Sequence, residues 1–264
     1  MIKGNFRNVI DEESEFDFER HYRYGDFMDD LCLVDGCQYF LAGDFFADII
    51  RSAHLLLLNK EVYMDFYNRS SDELYDVVTD YKWTLAKMNE IITDKYADTN
   101  YSGAKDAGDL YGFMVFEHWG PSIPFSVSGM PQFMARDEEG TPSITVHQGD
   151  RANQLASAMS KIFNNESTSI GHTAETELIT AFTQDECLIL GYQRLGSLEN
   201  EIFRQMEGDA AVLPYPMLFE SDKKSLEQKI RTVHAHADLA LLTDAIRQPS
   251  CHLGAIIHPT CQCK

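Results

Sequence analysis

Several features are scarce in this chain of 264 residues, and each scarcity excludes a class of protein. The longest apolar run is the four leucines at 55–58, far short of the roughly 18 apolar residues that span a bilayer. Basic side chains number 22 against 42 acidic ones, and the net charge of -20 repels the phosphates of nucleic acids and of anionic lipids. The six cysteines show neither a disulfide framework nor zinc-finger spacing.

The motifs of several enzyme classes are also missing. The chain has no Gly-rich phosphate loop, no HExxH, no GxSxG and no paired CxxC. Its first residues, MIKGNFRNVIDEESEF, are charged and lack the apolar segment of a signal peptide. These absences favour a binding protein over an enzyme.

Strand-like and helix-like segments alternate along the chain, which predicts an α/β fold. The apolar run 49–58 is strand-length and lacks helical spacing, so it predicts a buried strand. A helix is predicted after Thr84, which can cap it, with Leu85, Met88 and Ile92 on one face. Further helices are predicted over 151–163 and 198–206, and strands over 111–116, 187–190 and 210–213.

The sharpest local motif is the twelve-residue segment DTNYSGAKDAGD at 98–109. A calcium loop of this length needs oxygen ligands at its positions 1, 3, 5, 7, 9 and 12 and a glycine at position 6, which is Gly103 here. A polar surface loop that uses Asp, Asn and Gly for turns explains the same residues, and both interpretations stay open. The predicted Ca²⁺ ligands are Asp98, Asn100, Ser102, Ala104 through its carbonyl, Asp106 and Asp109.

Two polar and aromatic groups follow predicted strands. Glu117, His118 and Trp119 come after the strand at 111–116, and Tyr192 and Arg194 come after the strand at 187–190. Ligands of open α/β sheets bind at the carboxyl ends of the strands. A carboxylate, an imidazole and aromatic rings suit a sugar, whereas a packed tryptophan with two polar neighbours is the alternative explanation.

Several segments, in this order, resemble the family 1 extracellular solute-binding proteins of ABC importers. DGCQYFL at 35–41 and LLLLNK at 55–60 are similar to two early segments of that family, and YKWTLAKM at 81–88 resembles its "GKWTLDKM" helix start. The loop at 98–109 followed by YGF looks like a segment frequent in clostridial members. GDAAVLPYP at 208–216 is similar to the family's "YGILPYP".

The resemblance implies a type II periplasmic-binding-protein-like fold, with one nearly complete lobe and part of a second. It divides the chain into a partial lobe I (1–55), a lobe II (56–210) and a return crossing with an atypical tail (211–264). The segments 52–58 and 210–215 would be the two crossings between lobes. The implied ligand-binding residues are Asp44, Arg51, Ser52, Glu117, His118, Trp119, Tyr192 and Arg194.

By the same resemblance, the chain captures a carbohydrate, works with the membrane subunits of an ABC importer and needs no catalysis. Full-length relatives are extracellular lipoproteins, so a chain without the signal and the first βαβ unit is expected to be truncated. Two other functions remain open. One is a calcium-stabilised interaction domain, and the other is a glycan hydrolase with Glu117 as acid or base.

Overall fold

A computed structural model describes residues 8–9, 39, 47–115, 117, 120–129, 131, 133–138, 141–171 and 174–223. Within these residues no helix is both long and apolar enough to cross a bilayer. The helices are α1 (Ala47–Arg51), α2 (Lys60–Tyr67), α3 (Glu73–Thr79), α4 (Leu85–Ile92), α5 (Ser122–Ser128), α6 (Arg151–Phe163) and α7 (Glu175–Thr183). The strands are β1 (His54–Asn59), β2 (Tyr111–Val115), β3 (Met134–Arg136), β4 (Pro142–Ile144), β5 (Thr168–Ile170), β6 (Cys187–Arg194) and β7 (Ala210–Leu213). Short 3-10 turns lie at Leu195–Glu199, Glu201–Gln205 and Glu220–Asp222.

Five strands form one mixed sheet in the order β5-β2-β6-β1-β7. β2 pairs in parallel with both β5 and β6. β1 pairs antiparallel with β6 on one side and with β7 on the other. β3 and β4 form a separate antiparallel ribbon. The α/β fold predicted from the alternating pattern is confirmed.

β1 and β7 are the first and last strands of this sheet along the chain, and they lie side by side. Leu57 is paired with Val212 and Leu58 with Ala211. The chain therefore comes into the sheet and leaves it through two adjacent strands. β1 overlaps the segment 52–58 and β7 lies within 210–215, the two segments that the family resemblance implies as crossings.

The sheet is covered on both faces, and this explains its leucine-rich central strand. Leu55, Leu56, Leu57 and Leu58 are all buried. Alternate leucines point to opposite faces, where Leu56 and Leu58 pack in the cluster that holds α4, and Leu55 and Leu57 in the cluster that holds α7. Burying each such side chain contributes about 1.5–3 kcal/mol.

Local caps fix the ends of two helices beside the sheet. The Asn59 side chain accepts a hydrogen bond from the Val62 N–H and so caps α2 directly after β1. Thr84 accepts from the Lys87 N–H and caps α4, whose buried face includes Leu85, Met88 and Ile92. The predicted cap and apolar face of α4 are thus confirmed, as is the helix at 151–163.

Two predicted elements are wrong. The run 49–58 is not one strand, since α1 ends at Arg51 and β1 begins only at His54. The Ser52 N–H donates to the Asp48 carbonyl, which closes a helical turn that an apolar pattern alone does not reveal. The segment 198–206 forms two 3-10 turns in place of a helix, because Asn200 between them is extended and its side chain caps the second turn.

Candidate ligand-binding site

The topology brings most of the described site residues to one edge of the sheet. β2, β5 and β6 are parallel, so their carboxyl ends lie together, and the antiparallel β1 begins at that same edge. Arg51 and Ser52 come just before β1, Glu117 follows β2, and Tyr192 and Arg194 lie at the end of β6. We refer to this edge, with the segments that begin and end there, as the carboxyl edge.

A polar cavity of about 570 Å³ opens at the carboxyl edge. Three residues implied by the family resemblance, Arg51, Ser52 and Arg194, line it together. The other lining residues come from α1, from the start of α7 and from the turn after β6: Asp48, Glu175, Gly196, Ser197, Glu199 and Asn200. Sequence reasoning missed these six, because no local pattern links segments so far apart in the chain.

The charged groups of the cavity are partly paired with one another. Arg51 Nη1 lies 2.7 Å from Glu199 Oε1, and the Ser197 hydroxyl donates to Glu175 Oε1 over 3.0 Å. Gly196 lets the turn approach α1, since a Cβ there would lie 3.2 Å from Arg51 Cβ. The cavity thus offers guanidinium donors beside carboxylate acceptors, a set that can hydrogen-bond both the oxygens and the hydrogens of hydroxyl groups.

An aromatic pair lies beside this cavity. The rings of Tyr192 and His54 are stacked, with centroids 5.1 Å apart and planes 19° apart. His54 is also the direct cross-strand partner of Arg194, which lines the cavity. Sequence reasoning missed His54, since only the pairing of β1 with β6 brings it to Tyr192.

The environment of His54 disfavours its charged form. Burial, with the positive charge of Arg194 as a second cause, lowers the pKa of His54 below its usual value. Its Nδ1 atom is buried and has no hydrogen-bond partner among the described residues. A neutral imidazole packed on a phenol ring gives an amphipathic surface, apolar on the ring faces and polar at the edges.

Of the other predicted ligand-binding residues, the structure describes Glu117 and Tyr192, and neither lines the cavity. Glu117 is exposed and is not part of the cavity lining. Asp44, His118 and Trp119 lie outside the described residues, so their roles stay predictions. The cavity as described therefore rests on Arg51, Ser52 and Arg194, with Tyr192 beside it.

The predicted calcium loop lies at the opposite end of β2. Backbone hydrogen bonds between Ala97 and Leu110 close its base, at 2.9 and 3.0 Å. Inside the loop, the Asp98 carboxylate accepts the N–H groups of Ser102 and Gly103. Gly103 has a φ of +74°, the left-handed conformation that a calcium loop requires at its sixth position.

Asp109, the last predicted calcium ligand, is buried and hydrogen-bonded. Its side chain is buried, and Oδ2 accepts hydrogen bonds from the Tyr96 hydroxyl and the Asp106 N–H. Burial acts to raise the pKa of Asp109, but these hydrogen bonds outweigh burial and hold it below the usual value. Burial together with the bond to Asp109 raises the pKa of Tyr96 to about 12.

The donor set of this loop fits a calcium ion in its chemistry. Asp109 Oδ1 is buried and has no hydrogen-bond partner among the described residues, as a ligand oxygen would without its cation. The arrangement is looser than an assembled site, however. Asn100 Nδ2 donates to Asp106, and no three acidic, His or Cys side chains converge as metal ligands in the described part of the chain.

No protein-family model matches this chain, and no curated protein matches it. Two solved structures are similar to it at 12% sequence identity. The match to the ABC substrate-binding protein Lmo0181 from Listeria monocytogenes in complex with cycloalternan has a TM-score of 0.46 and covers 81% of this chain and 49% of that protein. The match to the Thermus thermophilus maltotriose binding protein bound with maltotriose has a TM-score of 0.36 and covers 72% of this chain and 43% of that protein. This chain thus spans about half the length of either protein.

Proposed function

We propose that this chain is part of a solute-binding protein that captures a carbohydrate for an ABC importer and carries out no chemistry on it. The proposal includes a type II periplasmic-binding-protein-like fold, with a partial lobe I over 1–55 and a nearly complete lobe II over 56–210. Capture would take place outside the cell membrane, before delivery to the membrane subunits of the importer.

One observation carries this proposal: a polar cavity lies where the chain comes into the sheet. Arg51 and Ser52, just before β1, line this cavity together with Arg194 at the end of β6. In a protein that closes on its ligand at a hinge, the ligand lies beside the segments that cross between lobes. A cavity at the start of β1 is placed where such closure would enclose a ligand.

The pairing of β1 with β7 supports the same proposal. β1 and β7 are adjacent where they carry the chain into and out of the sheet. A hinge at these strands is short, because few residues have to change their backbone angles. The polar atoms of the cavity, with the Tyr192–His54 pair beside them, suit the hydroxyl groups and C–H faces of a neutral sugar.

Calorimetric titration of the purified chain with neutral oligosaccharides, maltotriose among them, tests the proposal directly. We expect saturable binding and a rise in Tm that grows with the sugar concentration. Arg51→Ala and Arg194→Ala should each weaken binding at least tenfold, since each removes a guanidinium donor from the cavity lining. Arg204→Ala is the matched control, because Arg204 is exposed and lies outside the cavity lining.

No binding by the unmodified chain at millimolar sugar would contradict sugar capture by these residues. Equal weakening by Arg51→Ala and Arg204→Ala would contradict the assignment to this cavity. Analysis of the sugars after prolonged incubation separates capture from hydrolysis, because a hydrolase shortens them. Glu117, the acid or base of the hydrolase alternative, is exposed and does not line this cavity, so the cavity itself lends that alternative no support.

We also propose that residues 98–109 bind Ca²⁺ as a structural clip. Asp98, Asn100, Ser102, Asp106 and Asp109 would supply side-chain oxygens, and Ala104 its carbonyl. When bound, the ion would cross-link the segment between α4 and β2 and neutralise the acidic side chains there.

Adding calcium after EDTA should raise Tm, whereas magnesium at the same concentration should raise it less, because Mg²⁺ requires a tighter octahedral set of ligands. Asp98→Asn should abolish the response, and an unchanged Tm on EDTA treatment would contradict the clip.

A further inference from the structure

A β-bulge in β6 includes Tyr192. Leu55 is paired with Gln193 and Leu57 with Leu190, so the single residue Leu56 faces both Gly191 and Tyr192. A bulge of this kind breaks the ladder of hydrogen bonds locally and redirects a side chain. The ring of Tyr192, one of the two residues in the bulge, is stacked on that of His54.

The bulge leaves Tyr192 in a strained backbone conformation. Its φ is +57°, in the left-handed region that residues with bulky side chains rarely adopt. Such a conformation persists only where the surrounding structure holds it in place. Gly191 permits the bulge, since a Cβ there would lie 2.7 Å from two ring atoms of Phe113.

The backbone N–H of Tyr192 donates to the Tyr215 hydroxyl, with 2.9 Å between nitrogen and oxygen. Tyr215 itself is firmly held. Its ring packs edge-on against Phe125, with centroids 4.8 Å apart. The carbonyls on both sides of it accept side-chain hydrogen bonds, Pro214 from Trp83 Nε1 at 2.8 Å and Pro216 from the Ser128 hydroxyl at 2.9 Å.

We infer that Tyr215 is a positioning residue of the candidate site, whose hydroxyl holds Tyr192 in its left-handed conformation with the ring stacked on His54. Tyr215 reaches the site from the segment after β7. That segment therefore orients an aromatic surface whose two rings lie on β6 and β1. The ring is thereby oriented before a ligand arrives, and less conformational freedom is lost on binding. The role in ligand binding rests on the proposed sugar capture, whereas the role in holding Tyr192 does not.

Tyr215→Phe separates the two contributions of this residue, because it keeps the ring against Phe125 and removes only the hydroxyl. We expect hydrogen exchange of the Tyr192 amide, followed by NMR, to become at least tenfold faster. The Leu190 amide, before the bulge, should keep its rate. His54 should titrate at a pKa closer to the ordinary value as the Tyr192 ring leaves the stack.

Tyr67→Phe is the matched control, since the Tyr67 hydroxyl also bonds to backbone, at the Ile91 carbonyl, but far from the bulge. It should leave Tyr192 exchange and the His54 titration unchanged. In a Tyr192→Gly background, Tyr215→Phe should cost less stability than in the unmodified chain, because glycine adopts positive φ without strain.

Unchanged exchange of the Tyr192 amide in Tyr215→Phe would overturn the inference. Faster exchange in Tyr215→Phe, with weaker maltotriose binding than the unmodified chain, would support the inference and sugar capture together. Faster exchange in a chain that binds no oligosaccharide would confirm that Tyr215 holds Tyr192 and would remove the proposed function, so the two failures are distinguishable.

Discussion

The loop at 98–109 and the carboxyl edge lie at opposite ends of β2, and both expose polar side chains. Most of the loop's hydrogen bonds join residues fewer than ten positions apart, such as those from Ser102 and Gly103 to Asp98. The carboxyl edge instead joins distant segments, as in the pair of Arg51 with Glu199. The loop can therefore keep its shape locally, whereas the candidate binding site exists only when the whole sheet is assembled.

This difference predicts that damage at the bulge spreads to the site but not to the loop. Gly191→Ala adds a Cβ that would lie 2.7 Å from the buried ring of Phe113, and the clash should cost about 1–3 kcal/mol of stability. Chemical denaturation measures this loss, and hydrogen exchange should show faster opening around Tyr192 with unchanged rates in the loop.

Gly171→Ala is the control for that substitution. Gly171 follows β5 at the same edge of the sheet, but nothing lies within 4 Å of an added Cβ. The free energy of unfolding of Gly171→Ala should be close to that of the unmodified chain. Equal stability of the two variants would show that the approach of Gly191 to Phe113 does not constrain the bulge.

The loop has one strong connection of its own, the hydroxyl of Tyr96 to the buried carboxylate of Asp109. Tyr96→Phe leaves that carboxylate with one hydrogen bond fewer, and Tm should fall by about 2–4 °C. Tyr101→Phe is the matched control in the same loop, because the Tyr101 side chain is 90% exposed. A similar fall for both variants would mean that Tyr96 contributes only its ring.

The same contrast explains which features could be predicted from the sequence. The cap and apolar face of α4 depend on residues three or four positions apart, and the oxygen pattern of the loop at 98–109 depends on residues two or three positions apart. The clustering of Arg51 with Arg194 was implied only by a family resemblance. His54 and Tyr215 carry no local signal, because only the pairing of β1 with β6 and the fold of the segment after β7 bring them to Tyr192. The strand predicted over 49–58 is wrong for a related reason, since an apolar run by itself does not distinguish a strand from a turn of helix.

His54 gives the carboxyl edge a pH dependence. Its pKa is lower in the folded chain than the ordinary 6.5, so the unfolded chain takes up a proton first as pH falls. The contribution of neutral His54 to the free energy of unfolding is therefore fully present above about pH 6.5, and it is lost as pH falls toward the pKa of His54 in the folded chain. Tm should fall slightly more between about pH 7.5 and 5.5 in the unmodified chain than in His54→Gln. His147→Gln is the control, since His147 is exposed, and its Tm should fall over this pH range as much as that of the unmodified chain.

The smallest effect is expected at a long-range contact of the loop at 98–109, from Lys105 to Glu166 just before β5. Lys105 Nζ lies 2.5 Å from Glu166 Oε2, and this bond and charge hold the pKa of Glu166 below its usual value. The pair therefore stabilises the fold above about pH 4.5 and is lost as acid protonates Glu166. Both side chains are well exposed, so Lys105→Ala should lower Tm by less than about 2 °C, and high salt should remove the difference because it screens the charges. A larger loss that persists in high salt would show that the loop depends on the rest of the sheet as strongly as the carboxyl edge does.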